Sequence, residues 1–415
     1  METIYSVKGR IKDDLRVLQI RSELMYWPLM EETITLKDRL KMAAFVLTSS
    51  RLTNGPKVRE FEEKWSQWLG VKHSLYVSSG STANTLLVAS MKEHFGLKDG
   101  DKVLVPACTW MTNIAPVIQA GLEPIFCDIN LENYSFDLDE LKYVAQQHPD
   151  IKAVFITHLI GLSSDVEKVR EIFPDALILE DVCESHGVEG PNGKRGKSKE
   201  SVGSTFSFYY GHHITTVEGG MVCTNNTALY ELMRMKRSHG MAREASPEKF
   251  KQYASENPDV DPAFLFMTEG FNLRNHEICA VLGLSQIKRL DNNIQIRKEN
   301  YKYWWDKSTQ MGERWQWKYY LPEYQEGNSS FCFPLIARGI ALVQTLKYKF
   351  KEEGIEYRPI ISGNILRHPA FKQYKLCTER ETPNVCLLHM NGLYVGNSQF
   401  VNKEKLDRLI SIMDV

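Results

Sequence analysis

The sequence has no excess of charge of either sign. Its 51 lysines and arginines nearly equal its 52 aspartates and glutamates, which gives a formal net charge of −1 at pH 7. A general nucleic-acid binder needs a basic surface that neutralises phosphates, so this balance argues against that class of protein. It still allows a local basic pocket for a diphosphate.

The sequence also has no long apolar run and no secretion signal. No uninterrupted stretch reaches the ~20 apolar residues that a membrane-spanning helix requires. The first five residues do not begin the charged, apolar and small-residue pattern of a signal peptide. We therefore expect a cytoplasmic protein that has neither a membrane nor a nucleic acid as its partner.

Closely spaced cysteines are missing as well. The eight cysteines are scattered and none form a Cys-x-x-Cys pair, so we expect buried thiols. Cys332, Cys377 and Cys386 are the only grouping that could suggest an iron–sulfur cluster, but cluster ligands usually lie closer together. We expect no metal site.

What the sequence does contain is a series of short apolar runs that alternate with helical stretches. The runs are rich in β-forming residues and nearly all apolar, as expected for strands covered by helices on both faces. Repeated strand–helix units favour an α/β fold with a mostly parallel sheet. The predicted strands are 75–77, 102–105, 124–127, 153–156, 176–179, 206–208 and 221–223.

The remaining segments predict an arm and two domains. Residues 1–33 form an N-terminal arm whose residues 26–29 lie on the body of the protein. Residues 34–290 form a large domain, and residues 291–415 a smaller α+β domain. Other predicted segments are helices in 34–70 with a turn at 53–56, a long loop at 242–262, a long helix at 276–310, a strand at 331–336, and helices at 341–353 and 403–413.

A candidate phosphate site follows the first predicted strand. Residues 78–84 are small, include Gly80 and Ser81, and open a helix. The start of a helix offers free amides and a favourable dipole to an anion. A plain turn in which serine or threonine caps the helix explains the same residues equally well.

Further candidates follow the second and fifth predicted strands, at the sheet edge where ligands bind. Trp110 could stack on a flat ring, although a core tryptophan is the commoner case. Asp181 ends the fifth strand, with Glu184 just beyond. A buried carboxylate needs a partner, and a protonated pyridine nitrogen is one; capping of a helix is the alternative.

His212 and His213 follow the strand that contains Ser207. An imidazole can move a proton near neutral pH. A structural role for one or both histidines is the alternative. A metal site is a weaker rival, because adjacent side chains diverge and no other ligand lies nearby at ligand spacing.

In combination and in order, these motifs resemble the sugar aminotransferases of the DegT/DnrJ/EryC1/StrS superfamily. More narrowly they resemble its pyridoxamine-phosphate (PMP)-dependent sugar 3-dehydratases, which have a histidine where the aminotransferases have the lysine that binds the cofactor covalently. The resemblance runs from about Leu52 to the C-terminus. Its motifs are 52–56, 78–84, 180–185, 210–220, 237–240, 270–274, 357–360 and 363–364.

The resemblance implies a fold and a set of residue roles. The fold is that of fold type I pyridoxal-phosphate (PLP) transferases, similar to aspartate aminotransferase. His212 would be the catalytic proton carrier, and His213, Arg243 and Arg358 are candidate contacts for substrate or L-glutamate. The implied cofactor contacts are Gly80 (phosphate), Ser81 (phosphate), Trp110 (ring face), Asp181 (pyridine nitrogen), Glu184 (ring hydroxyl), Ser207 (phosphate) and Asn272 (phosphate of the neighbouring subunit in a homodimer).

The resemblance also implies an activity. The chain would remove the C3 hydroxyl of a nucleotide-linked 4-keto-6-deoxyhexose, with GDP-4-keto-6-deoxy-D-mannose as the expected substrate. L-glutamate would restore PMP, and the product would serve 3,6-dideoxysugar and lipopolysaccharide O-antigen biosynthesis. A sugar aminotransferase, a dehydratase of the CDP-linked sugar and a non-catalytic cofactor-binding relative are the alternatives.

Overall fold

The computed structural model describes residues 26–197, 199–377 and 382–414, with the side chains of residues 375–377 also outside the description. Most of the predicted arm and the side chain of Cys377 therefore lie outside the described residues. None of the helices in these ranges combines the length and the apolar character that a bilayer crossing requires.

Capping residues mark the ends of several helices. Thr35 and Asp38 form a reciprocal capping box at the first helix, and left-handed Gly70 and Gly96 end the second and third. The α-helices are α1 (Leu36–Thr48), α2 (Pro56–Leu69), α3 (Gly80–Phe95), α4 (Ala115–Gln119), α5 (Leu138–Gln147), α6 (Val166–Ile172), α7 (Thr227–Arg237), α8 (Pro247–Glu256), α9 (Glu277–Gln286), α10 (Leu290–Gln310), α11 (Glu313–Gln316), α12 (Ile340–Glu352), α13 (Pro383–Asn391) and α14 (Lys403–Met413).

Three sheets are present in the described residues. The strands are β1 (His73–Val77), β2 (Lys102–Pro106), β3 (Glu123–Cys127), β4 (Ala153–Thr157), β5 (Leu177–Asp181), β6 (Glu189–Gly190), β7 (Gly193–Lys194), β8 (Ser201–Ser207), β9 (Gly220–Thr224), β10 (Tyr319–Tyr320), β11 (Cys332–Ala337), β12 (Tyr357–Arg358) and β13 (Gly392–Gly396).

The large sheet has seven strands in the order β1-β9-β8-β5-β4-β2-β3. Only β9 runs antiparallel to its neighbours, so the other six strands point the same way. Helices cover both faces, and separate apolar clusters fill the space on each side. The predicted α/β fold with a mostly parallel sheet is confirmed.

The smaller sheet has the order β10-β11-β13-β12 and is antiparallel throughout. Its strands lie between residues 319 and 396. The helices α10, α12 and α13 pack against it, and α14 packs against α10 and α12. We therefore retain, as a proposal, a small domain that begins near residue 291.

Two predicted segments differ from the structure. The loop predicted at 242–262 contains α8, which starts at Pro247 directly after Ser246 and buries none of its side chains. Proline is favoured in the first turn of a helix, so it begins this helix instead of preventing it. The helix predicted at 276–310 is interrupted by a 3-10 turn at Ile287–Arg289, which separates α9 from α10.

The described end of the arm packs on the small domain. Trp27 is buried, donates its indole N–H to the Gly396 carbonyl at 2.9 Å, and meets the Phe333 ring edge-on. Its backbone pairs with Ile355. Trp27, together with the Leu29 amide that donates to Glu356 at 3.0 Å, holds the residues Pro28 to Met30 against the small domain.

Candidate active site

The candidate site is a cavity of about 490 Å³ at the carboxyl ends of the parallel strands. Its wall combines residues that follow β1, β2, β4, β5 and β8 with residues of the small domain and the arm. A more open hollow of about 520 Å³ beyond the arm contains none of these strand-end residues. The predicted residues that line the cavity are Gly80, Ser81, Trp110, Asp181, Glu184, Ser207, His212 and Arg358.

One end of the cavity is the start of α3. Ser79 caps this helix by accepting the Thr82 N–H at 3.1 Å, which leaves the amides of Gly80 and Ser81 available to a ligand. A Cβ at Gly80 would lie 2.5 Å from the Cβ of Ser207, so only glycine fits between the helix start and β8. Free amides beside a hydroxyl form a cradle for a phosphate.

Asp181 also lines the cavity, at the carboxyl end of β5. Its Oδ2 accepts the side-chain N–H groups of Asn84 at 2.8 Å and Asn113 at 2.9 Å, and its Oδ1 accepts the Cys183 amide at 2.8 Å. Among the described residues, no cationic side chain forms an ion pair with it. A buried carboxylate with neutral donors alone suits a ligand that brings its own positive charge.

Glu180, the neighbour of Asp181 in β5, faces away from it. Its carboxylate accepts a hydrogen bond from His158 Nε2 at 3.1 Å and from the Gly196 amide at 3.0 Å. His158 Nδ1 accepts the Ser164 amide at 3.0 Å, so the proton lies on Nε2. Burial holds the pKa of His158 below its ordinary value, and the pair is a neutral imidazole that donates to a carboxylate.

Glu184 is a second carboxyl group in the cavity. Its Oε2 accepts the Ile160 amide at 3.3 Å. Burial, reinforced by the nearby charge of Asp181, raises the pKa of Glu184 to about 8. The group is therefore protonated at neutral pH and can donate a hydrogen bond to a ligand oxygen.

His212 is half-buried in the cavity wall. Its Nδ1 lies 3.1 Å from the Ser207 carbonyl oxygen, which can only accept, so Nδ1 carries the proton and Nε2 carries the lone pair. Burial lowers the pKa of His212 to about 4, which keeps the ring neutral at neutral pH. The side chain is a proton acceptor in a fixed tautomer.

The structure contradicts the role predicted for His213. The sequence predicts a substrate contact at this position, but the ring is 1% exposed and both ring nitrogens are occupied. Nε2 donates to the Ser329 carbonyl at 2.5 Å, and Nδ1 accepts from His186 Nδ1 at 3.2 Å. No polar ring atom remains for a substrate, and we withdraw that role.

The other predicted residues divide into two groups. Trp110 and Arg358 line the cavity, and both are exposed, Trp110 to 52%. Asn272 and Arg243 are exposed outside the cavity. Asn272 accepts a hydrogen bond from Arg274 at 3.0 Å, and Arg243 contacts the Ala263 carbonyl at 3.4 Å.

Several residues of the cavity escaped the sequence analysis. Leu29 and Met30 of the arm form one wall, and Phe331 and Tyr394 of the small domain form another. No local pattern marks them, because they reach the site from distant parts of the chain. His158 follows β4 and could have been found by searching the end of every strand.

The geometry of Gly80, Asp181 and Trp110 fits PMP. The phosphate cradle needs glycine at position 80 for space, the buried charge of Asp181 calls for a cationic partner, and Trp110 provides an exposed aromatic ring in the same wall. A phosphorylated, protonated pyridine has these three features.

Comparison with known proteins agrees with this geometry. Residues 34–414 match the model of the DegT/DnrJ/EryC1/StrS aminotransferase family. The chain is 34% identical over 408 residues to GDP-4-keto-6-deoxy-D-mannose 3-dehydratase of Yersinia pseudotuberculosis, which covers 95% of this chain and 100% of the relative.

Two solved structures are similar over nearly their whole length. One is GDP-4-keto-6-deoxymannose-3-dehydratase in a mutant form with bound GDP-perosamine, at a TM-score of 0.85 and 30% identity over 93% of this chain and 100% of that one. The other is the same enzyme with a trapped PLP-glutamate geminal diamine, at a TM-score of 0.82 and 28% identity over 93% of this chain and 100% of that one.

Proposed function

Since this chain belongs to the DegT/DnrJ/EryC1/StrS aminotransferase family, we propose that it is a PMP-dependent 3-dehydratase of a nucleotide-linked 4-keto-6-deoxyhexose, with GDP-4-keto-6-deoxy-D-mannose as the substrate. Two similar proteins carry the corresponding dehydratase name. The observation that carries the proposal is the cavity wall, where His212 is present and no lysine lines the cavity among the described residues. An aminotransferase of this family needs the lysine amine to bind the cofactor covalently, whereas a dehydratase needs a side chain that carries a proton.

Different side chains of the cavity would bind different parts of PMP. PMP, when bound, supplies a protonated ring that takes up the electron pair left by removal of a proton next to its amino nitrogen. Asp181 would hold the ring nitrogen, Glu184 the ring hydroxyl, and Gly80 with Ser81 and Ser207 the phosphate. Trp110 would cover one ring face and keep water from it.

His212 would move the proton. Its Nε2 carries the lone pair that accepts the proton, because the Ser207 carbonyl keeps Nδ1 protonated. With a pKa of about 4, the imidazolium that results is a strong acid for a side chain. It can therefore return a proton to the C3 hydroxyl and let that group leave as water.

L-glutamate and a second subunit complete the proposal. A similar enzyme has been solved with a PLP-glutamate adduct, which supports glutamate as the amino donor that restores PMP. Asn272 lies outside its own cavity, as expected of a residue that serves the neighbouring subunit. We propose a homodimer in which Asn272 contacts the phosphate in the partner's cavity, with Arg358 and Arg243 as substrate contacts.

The test is a product analysis with a histidine variant. Incubation of the protein with PMP, glutamate and a panel of nucleotide-linked 4-keto sugars should give a product that has lost water, together with free ammonia, by mass spectrometry. His212→Asn should abolish dehydration while PMP still binds, because asparagine fills the space but cannot carry the proton.

His148→Asn serves as the matched control, since His148 lies at the end of α5 and outside the cavity. It should keep wild-type turnover. An amino sugar as the product, or full turnover by His212→Asn, would contradict the proposal.

A further inference from the structure

The Asp181 carboxylate is held by two fully buried asparagines that come from separate parts of the chain. Asn84 lies in the second turn of α3, and Asn113 ends the 3-10 turn Met111–Asn113. Both donate to the same oxygen, Oδ2, at 2.8 and 2.9 Å. We call Asn84 and Asn113 the amide clamp.

Hydroxyl groups fix the direction in which each amide points. The Thr205 hydroxyl donates to Asn84 Oδ1 at 2.6 Å, and the Thr109 hydroxyl donates to Asn113 Oδ1 at 2.8 Å. Because the oxygen of each amide is occupied by a hydroxyl donor, the NH₂ group must face Asp181. The orientation of the clamp follows from the network itself.

The clamp connects the parts of the cavity that would hold opposite ends of the cofactor. Asn84 lies one helical turn beyond Gly80 of the phosphate cradle, and Thr205 precedes Ser207 by two residues in β8. Asn113 lies on the short turn that follows Trp110. One buried network thus fixes Asp181 relative to the phosphate cradle and the stacking ring.

We propose that Asn84 and Asn113 are positioning residues that hold Asp181 as an oriented carboxylate for a protonated pyridine nitrogen. The two amides occupy Oδ2, and the Cys183 amide takes one site on Oδ1, so the carboxylate cannot rotate. Neutral donors stabilise the negative charge of Asp181 without neutralising it. An arginine or a lysine in their place would neutralise that charge. The full charge therefore remains available to the ligand.

This inference rests on the proposed function, because it requires that the chain binds PMP. Its consequence is measurable in the bound ring. Neutral donors lower the basicity of a carboxylate, so a carboxylate that loses one holds the pyridinium proton more tightly, and the ring of bound PMP should lose that proton at a higher pH. A hydrogen bond to a charged group affects such an equilibrium by roughly tenfold or more.

The experiment is a pH titration of the absorbance of bound PMP in the wild type, Asn84→Leu, Asn113→Leu and the control Asn328→Leu. Leucine keeps the approximate volume and removes the donor. Asn328 is equally buried, but its amide donates to the Gln325 carbonyl at 2.7 Å instead of to Asp181. PMP affinity is measured alongside, by equilibrium dialysis.

The expected result is a midpoint raised by about one pH unit in each clamp variant and unchanged in Asn328→Leu. A clamp variant that binds PMP with the wild-type midpoint would overturn the inference. If one variant fails to fold, the other still decides the matter. Failure of the wild type to bind PMP would instead overturn the proposed function, so the two failures are distinguishable.

Discussion

At the scale of single residues, the site depends on how each environment sets a protonation state. His212 and Glu184 are both neutral at neutral pH, one as a proton acceptor and the other as a proton donor. The sequence could place these residues at strand ends, because the carboxyl edge of a parallel sheet follows from the order of elements. It could not give their protonation states, which depend on burial by residues far away in the chain. Nor could it separate His212 from His213.

Glu184 gives a prediction about stability and pH. Its pKa rises from the ordinary 4.5 to about 8 in the folded chain, so between these values the folded chain holds a proton that the unfolded chain has released. The contribution is fully present below about pH 4.5 and is lost as the pH rises towards 8, with a slope of up to about 1.4 kcal/mol per pH unit. Glu184→Gln removes this titration. The free energy of unfolding of the variant, relative to wild type, should therefore increase with pH across this window.

Urea unfolding at several pH values measures that difference. Glu63→Gln is the control, because Glu63 is an exposed carboxylate on α2 and its removal should leave the pH dependence of the wild type unchanged. A variant–wild-type difference for Glu184→Gln that is constant with pH would show that this group is ionised in the folded chain.

At the scale of elements, the arm, the helix α8 and the break between α9 and α10 show which features a local sequence pattern can predict and which it cannot. Strands of the large sheet were predictable, since each is a short apolar run between helical stretches. The helix α8 was missed because three prolines in a polar segment suggested a loop, although a proline after Ser246 also begins a helix. The break between α9 and α10 has no glycine or proline to mark it. The cavity wall formed by Leu29 and Met30 depends on tertiary packing, which the hydrophobic periodicity of the sequence does not predict.

The anchor of the arm can be tested through Trp27. Trp27→Ala should lower the free energy of unfolding by about 3–5 kcal/mol, because a large buried ring is removed. Trp27→Phe keeps most of the packing and loses the hydrogen bond to Gly396, so its loss should be only about 1–2 kcal/mol. Urea denaturation at neutral pH gives both values. Equal effects would mean that the indole N–H, and not the ring, holds the arm.

At the scale of the whole molecule, the proposed homodimer makes a prediction about mixed subunits. His212→Asn and Asn272→Ala should each inactivate the protein when made alone. In a mixed dimer, one cavity combines an intact His212 with an intact Asn272 from the neighbouring subunit. Co-expression of the two variants should therefore restore about a quarter of wild-type activity, if subunits pair at random in a symmetric dimer.

Sedimentation or light scattering establishes that the co-expressed variants form dimers. As a control, His212→Asn is co-expressed with a second inactive cavity variant, Asp181→Ala. This pair should restore no activity, because each change inactivates the cavity of the subunit that carries it. Absence of complementation by Asn272→Ala in a proven mixed dimer would contradict the cross-subunit role.

The imidazole at position 212 has a consequence for the protein in the cell. Without a primary amine at this position, the coenzyme is held by noncovalent contacts alone, and it can dissociate in every catalytic cycle. Occupancy then follows mass action, and a bound molecule favours the native state by an amount that grows with its free concentration. The quantity of functional protein should therefore vary with the vitamin B6 status of the organism that makes it.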